Sequence, residues 1–122
     1  MFDLTSEEAR LLLDVALMAI GGNRFKSAEA ILSALEAYRP GSEQLAAARM
    51  ILAISRGELE SALEYANVRA LPEHPGSAMI KAFAGMALLR LGRVAEAAVP
   101  IGEAAAQTDD PAAAQLARDM MT

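Results

Sequence analysis

The chain has 122 residues, a formal charge of −5 and 54% hydrophobic residues, with only 4% aromatic, no tryptophan and no cysteine. That length makes one domain, residues 1–122, with room for a real core but not for two. The acidic balance argues against nucleic acid or an anionic membrane as partner, since both need clustered Lys and Arg, and the lack of cysteine removes disulfides, thiolate nucleophiles and thiolate metal sites.

The start, "MFDLTSEEA", has neither the basic head nor the apolar core of an export signal. Thr5 with Glu8 then forms a capping-box pattern that opens a predicted helix over 5–21. Asn23 marks a turn, and a second helix follows over 25–38, stopped by Pro40. Ser42 is the expected N-cap of a helix over 42–56, which Gly57 ends. A helix over 59–71 comes next. His74 sits in the loop "LPEHPG" and is expected to be solvated. Ser77 caps a helix over 77–91. Within it, "AMIKAFAGMALLRLG" is broken by Lys81 and Arg90 and is too short to span a membrane. A helix over 94–107 contains Pro100, where a kink or a late start near residue 98 is expected because proline removes a donor and clashes with the turn before it. Asp110 and Pro111 open a last helix over 110–121. Abundant alanine and leucine, with few β-branched residues, make this an all-α protein.

Three segments repeat one another: "NRFKSAEAIL" from Asn23, "GELESALEYA" from Gly57 and "GRVAEAAVPI" from Gly92. Asn23 to Gly57 is 34 residues and Gly57 to Gly92 is 35, and Ala28, Ala62 and Ala97 keep the same intervals. Gly or Asn at the turn supplies positive φ, and the small alanine lets two antiparallel helices approach closely. The expected organisation is three helical hairpins, near 5–40, 42–75 and 77–109, and a closing helix over 110–121, stacked as a solenoid.

The period and these turn residues resemble the tetratricopeptide repeat. Leu12 and Ala19, Ala46 and Ala53, and Lys81 and Leu88 stand where that repeat usually carries its first-helix Trp and Tyr, which is the mark of a divergent branch. The stretches "AEAILSALEAYRP" and "DDPAAAQLARDMM", and the "RG" at 56–57, look similar to small three-repeat chaperones of bacterial type III secretion, including needle-subunit co-chaperones and a plant-associated Hrp family. The resemblance implies a cytoplasmic chaperone that holds a needle-type subunit, with or without a second small chaperone.

Carrying the repeat frame across, the first helix of each hairpin lines a concave groove at Leu13, Leu17 and Ile20, at Ala47, Ile51 and Ile54, and at Met79, Ala82, Met86 and Leu89. Arg10 and Gln44 flank it. Nearly all are apolar, which suits an amphipathic helix of a protein partner rather than a peptide carboxylate. A homodimer through the same patch, or a self-associating scaffold with no client, is the alternative. No chemistry points to an enzyme. His74 has no second histidine or cysteine to work with, and Glu7/Glu8, Glu58/Glu60 and Asp109/Asp110 sit at helix starts, where the dipole favours them. The "GG" at 21–22 lacks a phosphate-loop lysine, and no cofactor, metal or nucleic acid is expected.

Overall fold

The computed structural model describes residues 4–121, and among them there are seven helices and no strand. These are α1 (Ser6–Gly21), α2 (Phe25–Tyr38), α3 (Glu43–Ser55), α4 (59–73), α5 (Ala78–Arg90), α6 (Val94–Ala106) and α7 (Pro111–Met121). Residues 1–3, from the N-terminal stretch read above, and 122 lie outside the described residues.

The helix starts follow the capping residues. Thr5 accepts from the Glu8 N–H while Glu8 Oε1 accepts from the Thr5 N–H, closing the expected capping box. Ser42 accepts from Leu45 N–H, Ser77 from Ile80 N–H and Asp110 from Ala113 N–H. Each satisfies a donor that a helix start otherwise leaves orphaned.

The three turns inside the hairpins are the same structure built three times. Asn23, Gly57 and Gly92 have φ of 60°, 77° and 79°. The next residue's N–H reaches back across the turn: Arg24 to Ala19 O at 2.7 Å, Glu58 to Ala53 O at 2.9 Å and Arg93 to Leu88 O at 2.9 Å. Asn23, Gly57 and Gly92 each donate to the carbonyl three residues before, at 3.0 Å. This paired pattern is the Schellman stop, which needs a left-handed residue at its centre. Behind each turn, Ala28, Ala62 and Ala97 are fully buried where the two helices of a pair meet.

The pairs α1–α2, α3–α4 and α5–α6 stack in chain order, each first helix resting on the preceding pair, and α7 closes the end against α5 and α6. The core has two parts joined through α3. Leu45, Ala48 and Leu52 complete a cluster with Ala16, Ile20, Ala28, Leu32 and Leu35, while Ala46, Met50 and Ile54 belong to a second cluster shared with the rest of the chain. α5 buries residues all round its circumference, as a helix enclosed on several sides must. α1 buries only Ala16 and Ile20.

Two prolines lie inside helices. α4 runs two residues beyond its predicted end, through Pro72, because the chain first widens into a π segment at Ala66–Ala70, where Leu71 N–H donates to Ala66 O. A widened turn keeps the proline ring off the carbonyl of the turn before it. α6 starts at Val94 rather than near 98 and continues through Pro100 to Ala106.

Candidate protein-binding face

The first helices α1, α3 and α5 each carry a line of apolar side chains. Leu13 and Leu17 from α1 and Ile51 from α3 are half-buried against the first core cluster. Ala47 is half-buried on α3. Met79, Met86 and Leu89 of α5 are half-buried against the second cluster. Seven of the ten predicted positions therefore keep part of their surface available.

The other three belong to the interior. Ile20 is 4% exposed, Ile54 5% and Ala82 0%. Each first helix has a buried arc wider than the frame allows, and these three fall inside it: Ile20 against α2, and Ile54 and Ala82 within the second cluster. They hold the lined-up helices together but offer no surface.

At one end, where α1 starts, α2 ends and α3 begins, the line opens into a cleft of 260 Å³. Leu13, Leu35 and Leu45 form its apolar part, and Arg10, Arg39, Ser42 and Gln44 its polar rim. Arg39 is fixed there by donating to Ser6 Oγ at 3.0 Å and to Leu4 O at 3.3 Å. The expected flanking residues Arg10 and Gln44 thus come together with Leu13.

A larger cleft of 590 Å³ lies between α4, α5 and α6, but its character is acidic: Glu60, Glu64, Glu96 and Glu103 surround Lys81 and Arg93. Lys81, which interrupts the apolar run of α5, lays its stem along the cleft and reaches Glu103 at 3.3 Å. Arg93 pairs with Glu96 at 2.6 Å, and that bond holds the Glu96 carboxyl below its ordinary pKa. Hairpins one and two are joined by another polar set. Arg49 binds Glu29 and, at 3.2 Å, Glu36, which also faces Arg69 at 3.6 Å. Burial pushes the nearby Tyr65 hydroxyl above its ordinary pKa, with the Glu36 charge adding to the shift.

His74 is not the solvated loop residue expected. It is half-buried, its Nε2 is enclosed, and that atom has no hydrogen-bond partner among the described residues. Gln107, whose Oε1 is likewise enclosed, ties the same loop down by donating to Gly76 O at 2.9 Å. Among the described residues no group of three His, Cys, Asp or Glu is placed to hold a metal, and no helix is long and apolar enough to cross a membrane.

One surface escaped the sequence reading. On α1, Leu11, Val15 and Met18 are 57%, 49% and 74% exposed. Their spacing of four and three residues sets them in one stripe along the helix. The repeat alignment contains the signal: 34 residues later the same places hold Leu45, Arg49 and Leu52, and 35 later still Ile80, Ala84 and Ala87.

Compared with family models, curated proteins and solved structures, the chain matches none.

Proposed function

We propose that the chain is a tetratricopeptide-like helical-repeat protein that binds an amphipathic helix of a protein partner along the face formed by α1, α3 and α5. The observation that carries this reading is the register of that face. Leu17, Ile51 and Met86 hold one repeat position, and Leu13 and Ala47 another, and all keep part of their surface free, with Met79 and Leu89 half-exposed beside them on α5. Identical turns at a 34- and 35-residue interval support the repeat architecture.

An apolar trough with two methionines suits a helix laid in by its hydrophobic side, because the thioether chains adapt to the shape they meet. A guest helix burying four Leu- or Val-sized side chains would gain roughly 6–12 kcal/mol before ordering costs, enough for a stable complex. Leu13, Leu17, Met79 and Phe83, with the buried Ala48, stand where a carboxylate-binding repeat domain needs Lys, Arg and Asn, which favours a helix side over a chain terminus as the ligand. Nothing in the face has the parts of an enzyme site. The setting, a cytoplasmic chaperone of a type III secretion needle-type subunit, rests on the resemblance in "AEAILSALEAYRP" and "DDPAAAQLARDMM".

The chain has no tryptophan, so a synthetic amphipathic helix with one Trp on its apolar side reports its own burial. Titration with this protein should shift the Trp emission to the blue and saturate at one peptide per chain. Co-expression with a needle-type subunit should then yield a complex, and failure of both would remove the reading.

A further inference from the structure

From the exposed stripe on α1 we infer that this protein pairs with a second copy of itself, α1 against α1, about a two-fold axis near Val15. The repeat itself shows what such a surface is for. At the matching places in hairpins two and three, Leu45 and Leu52, and Ile80, Ala84 and Ala87, are buried where the first helix rests on the preceding pair. Leu11, Val15 and Met18 occupy those places in hairpin one, and no described hairpin covers them. The other exposed large hydrophobics described are Tyr38, Val68, Val94, Val99 and Met121; only Val94 and Val99 share a helix, and their five-residue spacing does not set them in one stripe.

Two observations choose the second copy as occupant. The opposite end of the stack does not match the stripe. There α7 exposes Gln115, Arg118 and Asp119, tied together by Gln115 to Asp119 at 2.8 Å and Arg118 to Gln115 at 3.3 Å, with Met121 the one large apolar side chain exposed beside them. Head-to-tail stacking would set apolar side chains on that polar cover, so like ends must meet. The stripe is also self-complementary when reversed. With α1 antiparallel to its copy, Leu11 faces Met18 of the other chain and Val15 lies near its own equivalent. The acidic first turn, with exposed Glu7, comes within reach of Arg24 just past the other helix's last turn. Closed two-fold contacts of this kind use one patch twice and stop at a dimer.

Sedimentation equilibrium of the full chain, a 12.8 kDa protomer, should give a dimer with a dissociation constant no weaker than about 100 μM. Val15→Asp and Met18→Asp place a charge in the closed contact and should weaken the dimer by at least about a hundredfold, with unchanged helicity because both side chains already face solvent. Val15→Cys should form an interchain disulfide on mild oxidation, since only equivalent residues near the axis come within disulfide range. Val99→Cys, equally free but on another helix, should not. A monomer up to that concentration, a dimer that survives both aspartates, or equal cross-linking of the two cysteine variants would overturn the pairing, and the stripe would then belong to a foreign helical partner or an extension of the chain. Helix-peptide binding on the α1–α3–α5 face should be untouched by Val15→Asp, so the two readings stand or fall separately.

Discussion

Gly85 and Gly102 offer a matched pair of substitutions that tests how closely the third hairpin packs. Both are interior helical glycines without positive φ, so alanine at either gains about 1 kcal/mol of helix propensity. Around Gly102 a new methyl meets nothing within 4 Å. At Gly85 it would lie 2.4 Å from Ile101 Cγ1, 3.1 Å from Ile101 Cδ1 and 3.6 Å from Ala97 O. Ile101 is buried and β-branched on a helix, so its first torsion has one good setting and it cannot swing aside. Overpacking of this kind costs about 1–3 kcal/mol. Gly102→Ala should therefore stabilise by about 1 kcal/mol, while Gly85→Ala should range from neutral to about 2 kcal/mol less stable. Urea unfolding followed by helical circular dichroism resolves the difference, and a stability change of 1 kcal/mol moves the melting point by about 4 °C in a chain of this size. Ile101→Ala should lose less stability in the Gly85→Ala background than alone, because the added methyl fills part of the space vacated. Equal stabilisation by the two glycine substitutions would refute the close approach of α5 and α6.

Ser77→Ala should cost about 1–2 kcal/mol, since Ser77 is buried and the Ile80 N–H it caps has no water to turn to; urea unfolding again reads it. Pro100→Ala should stabilise by about 1–3 kcal/mol, because α6 is helical on both sides of that residue and alanine restores the missing donor; a loss of stability would mean the proline shapes the helix pair. The Glu8 carboxyl is held below its ordinary pKa, chiefly by the Thr5 backbone N–H and then by its hydroxyl. Its contribution is complete above the unfolded-state value and is lost as pH falls through the lowered folded value. Protection factors of the first-turn amides of α1, which correct for the intrinsic pH dependence of exchange, should fall on acidification through that window in the native chain, and Glu8→Gln should remove the dependence.

The turns were legible because they impose a steric demand that few residues meet. A left-handed stop between two packed helices calls for Gly or Asn followed by a small residue five places on, and Asn23/Ala28, Gly57/Ala62 and Gly92/Ala97 spell that out. Caps were legible for the same reason, since a short polar side chain before an apolar run has one good use. What periodicity could not give was the width of each buried arc. Ile20, Ile54 and Ala82 carry the same residue types as their half-exposed neighbours, and only the angle between packed helices decides which atoms water reaches. The middle hairpin adds a local difference: Met50 fills the place where hairpins one and three have Ala16 and Gly85, and α3 and α4 are the least closely packed pair. The π segment answers to Pro72, whose effect depends on whether the helix before it can widen. Leu11, Val15 and Met18 drew no notice in the sequence because the repeat pattern alone does not say which hairpin lacks a neighbour, and their counterparts in hairpins two and three are, apart from Arg49, buried.

The proposed function requires that the half-exposed apolar line on α1, α3 and α5 receive a helix. The measurement is Trp fluorescence of the amphipathic peptide titrated with the native chain and with Ile51→Asp and Met86→Asp, each variant's helicity and melting point recorded beside it. The native chain should give a saturable blue shift and each variant at least about a tenfold weaker affinity, from one charge that must be desolvated under the guest helix, while both variants remain folded. A peptide that binds both variants as tightly as the native chain, or variants that unfold because these side chains are core, would contradict it.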